Sequence, residues 1–185
     1  MSTKSAKRPI LRLCVMAMLA ALAVVIGFFR FPIFAAVPFL EADFADLPIL
    51  IATTLFGPLW GMLVLAVVSF IQAFMLGGNG WIGFTMHFVA SGAMVLAVGI
   101  ITRRKKSVPR LIIAAAAGTI LQTLVMIPMS YIFYPIFGMP TAAVDALLFP
   151  YIIPFNLIKA GGSALLTVII FSALRPFLKK ENLIV

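Results

Sequence analysis

The chain has one cysteine, one histidine and five acidic residues among 185. A single Cys14 excludes an internal disulfide and any cysteine-built metal site. His87, alone, cannot be half of a histidine pair, so neither a metal nor a cofactor is expected. There is no H-E-x-x-H and no second histidine, and the acids gather in one segment instead of on facing spans. An enzyme is therefore not expected. Charge is scarce, at 10% of residues against about 25% in a soluble domain. Too little polar surface remains to wrap a water-soluble globule. No internal repeat, linker or low-complexity tail is evident, which argues against a stand-alone carrier built from matching halves.

What fills the chain is apolar: 64% of residues are hydrophobic and the mean hydropathy is +1.21. The expectation is an all-α integral membrane protein, one domain over residues 1–185, with six transmembrane helices and a partly buried external loop after the first. About 20 apolar residues cross a bilayer as a helix. The first span is expected from Ile10 to Phe29, retained and not cleaved as a signal peptide. The second, Leu47 to Gly57, is short. The third runs from Leu59 to Leu76, stopped by Gly77-Gly78-Asn79-Gly80. The fourth covers Trp81 to Ile101. The fifth runs from Pro109 to Phe137 and is expected to break at Pro128 and Pro135. The sixth runs from Pro150 to Leu174.

Fourteen Lys and Arg against five acids give a net charge of +9. Twelve of those cations form three clusters: Lys4, Lys7, Arg8 and Arg12; Arg103, Arg104, Lys105, Lys106 and Arg110; Arg175, Lys179 and Lys180. With six spans all three clusters fall on one side. The positive-inside rule makes that side cytoplasmic, with both termini there, in a prokaryotic plasma membrane. Clusters that flank apolar spans meet lipid headgroups, and no nucleic acid partner is expected. The segments 30–46, 77–80 and 138–149 then face outside.

The first of these outer segments is long and apolar, and it carries Glu41, Asp43 and Asp46. Asp46, just before Leu47-Pro48, is expected to cap the second helix. Two readings stand for Asp43: a solvated acid, or a partner for Lys159. That lysine lies about 15 residues from the terminal basic cluster, too deep to snorkel, and an intramembrane lysine is a functional-site candidate. Asn156, three residues earlier, shares its helix face. Phe44 belongs to the covering loop. Ser69 and Gln72, one helical turn apart, are candidates to line the same cavity. Ser130 and Tyr131 lie between two prolines that free backbone carbonyls. Their alternative is a kinked helix with its tyrosines in an interfacial belt, where Trp81 also fits. His87 reads as a hydrogen-bonded packing residue. Ala17 and Ala21 have small-xxx-small spacing, which lets another helix approach closely.

These segments together resemble the substrate-binding S component of energy-coupling factor (ECF) vitamin transporters, most closely the riboflavin-specific group. The resemblance rests on residues 39–48 (FLEADFADLP) followed by Gly57-Pro58-Leu59-Trp60-Gly61, on Ala17 and Ala21, and on residues 154–159 (PFNLIK). It implies a six-helix subunit without an ATPase of its own. Such a subunit captures a vitamin from outside and pairs with a membrane T subunit, packed on the first-helix alanines, and with two ATP-binding subunits. The ligand would sit near the outer face, under the loop after the first helix. Two departures stand out. The riboflavin group carries a Lys-Asn pair where this chain has Val68-Ser69, and an Asn where it has Ser130. A different heterocyclic micronutrient or precursor therefore remains an alternative ligand, and a stand-alone ion-coupled carrier an alternative function.

Overall fold

The computed structural model of the protein describes residues 3–180. The side chains of Lys4, Lys7, Arg8 and Lys179, and residue Glu181, lie outside the described residues. Helix α1 covers Thr3–Ile26. A loop follows, with a two-residue antiparallel pairing of β1 (Phe31–Pro32) and β2 (Glu41–Ala42). Helices α2 (Asp46–Phe56), α3 (Pro58–Met75), α4 (Gly80–Thr102) and α5 (Val108–Phe133) come next. A 3-10 turn (Tyr134–Phe137), α6 (Thr141–Leu147), a π turn (Leu148–Ile152) and α7 (Ile153–Lys180) complete the order.

Four stretches are long and apolar enough to cross a membrane: 58–75, 80–102, 108–137 and 141–178. The apolar parts of α1 and α2 are shorter. Each long stretch turns well under half of its residues inward, so apolar side chains such as Leu59, Ile113 and Leu165 face outward. In lipid such an outer surface costs nothing; in water it would aggregate.

The short α2 is the hub. Seven of its eleven residues are buried, and it packs against α1, α3, α4 and α7. It ends because Gly57 takes a positive φ of 96° and Pro58 has no N–H to continue the ladder. Pro58 instead opens α3, where a missing N–H is harmless. The α3–α4 turn uses positive φ at Gly77, Asn79 and Gly80. The loop after α1 fills the space beyond α2, burying Val37, Leu40, Ala42 and Ala45.

Two expectations are corrected. Pro128 lies inside α5 without ending it, and only Pro135 coincides with a change, to the 3-10 turn. Losing one N–H frees only the Leu124 carbonyl, one turn back, and a helix can carry a proline where its neighbours accommodate the freed group. The last helical stretch begins at Thr141, nine residues before Pro150, because Val144 and Leu148 find a small apolar cluster to pack in. The π turn takes up Pro150, which has no N–H to donate.

Helices approach closely where glycine removes a side chain. A Cβ on Gly99 of α4 would lie 2.6–2.9 Å from the Cβ, Cα and N of Pro58. A Cβ on Gly161 of α7 would meet only a Thr119 methyl at an ordinary 3.7 Å. Gly99→Ala should therefore destabilise the protein by roughly 1–3 kcal/mol through overpacking against backbone, while Gly161→Ala should be neutral or better. Thermal unfolding of both variants in detergent checks this. Equal midpoints would show that α3 and α4 are not locked at Pro58.

Candidate functional site

A cavity of about 230 Å³ opens where α3, α4, α5 and α7 meet the loop after α1. Five of the expected residues line it: Asp43, Ser69, Gln72, Asn156 and Lys159. Asn156 and Lys159 come from one face of α7, and Ser69 and Gln72 from one face of α3. Asp43 comes from the start of the Asp43–Asp46 turn.

The polar side chains form a pair and a separate group of four. Lys159 Nζ lies 3.4 Å from Asp43 Oδ2. Both side chains are largely buried, at 13% and 7% exposure. The other oxygen of Asp43 accepts the Ala45 N–H at 2.8 Å, so the acid that shapes the turn also reaches the lysine. Asp46 is engaged across the bundle. Its oxygens lie 3.2 Å from His87 Nε2 and 3.1 Å from Ser91 Oγ, both on α4. The His87 Nδ1 lies 2.9 Å from Ser69 Oγ. A carboxylate only accepts, so Nε2 carries the hydrogen. In the tautomer with its hydrogen on Nε2 alone, the ring accepts the Ser69 proton at Nδ1.

That arrangement corrects one expectation. Asp46 does not cap α2: it is the first helical residue, Ala45 occupies the cap position, and no side chain bonds the free N–H groups there. His87 and Ser91 outcompete a local cap because a buried carboxylate must be paired. His87 is hydrogen-bonded in the packing as expected, and it also faces the cavity.

Three expected residues lie apart from the lining. Phe44 packs beside it, its ring centroid 6.1 Å from that of Phe31 and its edge near Gly162. Ser130 is fully buried and turned to its own helix. Tyr131 donates to Asp145 of α6. Sequence reasoning missed Arg30, Glu41 and Gln122, which also line the cavity. Gln122 had a legible signal, an amide in an apolar span. Arg30 and Glu41 had none, because the loop's path decides where they point.

Ala17 and Ala21 lie elsewhere, on α1. With Cys14, Met18, Leu22 and Val25 they form one exposed stripe, while Met16 and Ala23 face the core.

A bundle of apolar helices with a polar cavity under a partly buried loop is the architecture of a membrane protein with room for a small molecule. Residues 11–171 match the family described as "ECF transporter, substrate-specific component". The chain belongs to that family, whose members are transport subunits and not enzymes. It is 32% identical to the riboflavin transporter RibU of Staphylococcus aureus, over 91% of this chain and 93% of that one. It is 26% identical to the riboflavin transporter FmnP of Bacillus subtilis, over 92% and 95%. A solved structure, reported as that of the S component of a bacterial ECF transporter, superposes with a TM-score of 0.78 at 33% identity, over 91% of this chain and 97% of that one.

The Lys159–Asp43 pair gives a direct test of what the lysine does structurally. Lys159→Met leaves Asp43 buried without its cation, which should cost roughly 3–5 kcal/mol. Adding Asp43→Asn should recover most of that. Chemical or thermal unfolding of the two single variants and the double reads the coupling. Strict additivity would mean the two groups do not depend on each other.

Proposed function

We propose that this chain is the substrate-capturing subunit of an ECF-type vitamin importer, and that its ligand is riboflavin or a related flavin. The observation that carries the reading is the buried polar cavity beneath the loop after α1, in a chain similar over nine-tenths of its length to riboflavin transporters. In this reading α1 to α5 and the α6–α7 stretch supply six crossings. The acidic end opens outside, and both termini and residues 103–110 face the cytoplasm. Asn156 and Lys159 orient the ligand, with Ser69 and Gln72 opposite and Asp43 and Phe44 in the cover. Tyr131 acts from behind the wall by tying α5 to α6 through Asp145, and Ser130 by bonding within α5. Riboflavin is neutral, and its ring system is flat. A few fixed polar groups in a mostly apolar enclosure suit it.

A second ligand reading is favoured by one observation. About 230 Å³ is below the roughly 300–1,000 Å³ usual for small-molecule sites. A smaller heterocycle would fill it as it stands, whereas a flavin requires the covering loop to shift outward.

Mass spectrometry of the small molecule that co-purifies in detergent tests both readings. A flavin is the expected result, and a different heterocycle would replace it. Asn156→Ala should weaken binding of added riboflavin, read by quenching of its fluorescence, by roughly 1–3 kcal/mol if the ligand group stays buried and unpaired. Unchanged affinity would remove Asn156 from the site.

The exposed stripe on α1 is the proposed docking face for a membrane T subunit, which in turn carries two ATP-binding subunits. Small residues let helices approach closely in lipid, where packing drives association. Ala17→Trp or Ala21→Trp should abolish co-purification of those subunits and leave riboflavin binding by the isolated protein intact. Loss of riboflavin binding as well would assign the alanines to the internal fold.

A further inference from the structure

A second cavity, of about 300 Å³, lies at the opposite end of the molecule. It sits where α2 ends, α3 begins and α4 ends, between Phe56, Trp60, Arg103 and Lys106. Three cations gather there. Lys106 reaches inward and donates to the Leu55 carbonyl at the end of α2. Arg12 of α1 lies 5.8 Å from the ring centroids of both Phe56 and Trp60. Arg103 stands at the mouth, exposed. The two ion pairs among the described residues, Lys159–Asp43 and His87–Asp46, are both at the other end. Burial, and then the nearby Arg12, hold the Lys106 pKa below its ordinary value, as happens when a cation has too little negative charge beside it. The helix ends here are mixed, with the N-terminus of α3 positive and the C-termini of α2 and α4 negative, so the excess positive charge is that of the side chains.

The surroundings of this cavity are apolar. Leu59 is 81% exposed at its rim, and Leu63 continues outward one turn along α3. On α4, Ile100 and Leu96 are exposed at the same spacing. Pro58 rests on Gly99, so these two pairs flank the seam between α3 and α4. A free anion would use the cations and leave the seam bare. An amphiphile uses both. We propose that this cavity is a binding site for an anionic phospholipid, with its headgroup phosphate among Arg12, Arg103 and Lys106 and its acyl chains along Leu59, Leu63, Leu96 and Ile100. It is independent of the vitamin cavity and of the ligand's identity.

Trp60 lines the site and gives a local readout. The chain has two tryptophans, so a Trp81→Phe variant reports from Trp60 alone. That protein is reconstituted in phosphatidylcholine vesicles containing a minor fraction of phosphatidylglycerol with brominated acyl chains. The expected result is Trp60 quenching well above that given by the same fraction of brominated phosphatidylcholine. Arg103→Ala, at an exposed position that threatens no folding contact, and Lys106→Ala should each weaken the phosphatidylglycerol preference about fivefold, the effect of one cation near an anionic surface. Arg104→Ala with Lys105→Ala, outside the cavity, should leave it unchanged. Equal quenching by the two lipids would overturn the proposal, as would a preference that survives both cavity variants. Displacement of the quenching by millimolar inorganic phosphate would also overturn it, because the site would then be a simple anion site. If the preference follows the Arg104 and Lys105 variants instead, the basic cluster attracts lipid only diffusely.

Discussion

The architecture depends on one helix being too short. Eleven residues of α2 rise about 16 Å, roughly half of a 30 Å hydrocarbon layer. Lengthening it is blocked at one end by Gly57-Pro58 and at the other by the Asp43–Asp46 turn, where Asp43 already holds the Ala45 N–H. In the six-span reading the unfilled half is closed by the loop after α1. In that reading the loop brings backbone and two acids, Glu41 and Asp43, to a level where a full helix would have brought only apolar side chains, and Asp46 opens α2 beside them. Irregular backbone at such a depth is tolerated only when protein buries it or a cavity adjoins it. Here both conditions hold, so the cavity and the loop are two consequences of the same shortfall.

The charges then sort themselves by need. Asp43 and Asp46 cannot remain unpaired once the loop is buried, and each takes a partner from a different helix. Lys159 on α7 meets Asp43, and His87 with Ser91 on α4 meets Asp46. Such pairs contribute little net stability, because desolvation offsets attraction, but removing one member is costly. Their effect is positional: they tie the loop to α7 and the start of α2 to α4, and the cavity lies between the two ties. At the opposite end no carboxylate among the described residues plays this part, and the cations there are left to meet lipid.

What was legible in the sequence follows the range of the interactions involved. The spans were legible to within a residue or two for α2, α3 and α4, because Gly57-Pro58, the 77–80 turn and the basic cluster are local signals. Asn156 and Lys159 were legible as one face because helical spacing is local too. Asp46 was not. Its cap role was a sound local expectation, and it lost to partners 41 and 45 residues away, whose approach depends on how α4 packs. Tyr131 was misplaced for the same reason, since Asp145 claims its hydroxyl from a helix expected to be a loop. The start of the last helical stretch was hidden by Pro150, because a π turn absorbs a proline in a way that no propensity scale anticipates.

The departures at Val68 and Ser69 take on a different meaning once the packing is known. Val68 is fully buried in the core and does not line the cavity. A lysine there would face apolar neighbours, so its absence is not the loss of a ligand contact in this chain. Ser69 does line the cavity, and with the His87 hydrogen on Nε2 alone its proton goes to Nδ1. It therefore offers a ligand only lone pairs, whereas an amide at that position would offer a donor as well. His87 is held in that tautomer by Asp46, which the short α2 and the buried loop place beside it. The hydrogen-bonding character of Ser69 toward a ligand is thus set by a histidine on the fourth helix and an acid on the second, while Gln72, one turn along, keeps its own amide. A change at His87 that reversed the ring's donor and acceptor would convert Ser69 from acceptor to donor without touching the cavity's shape.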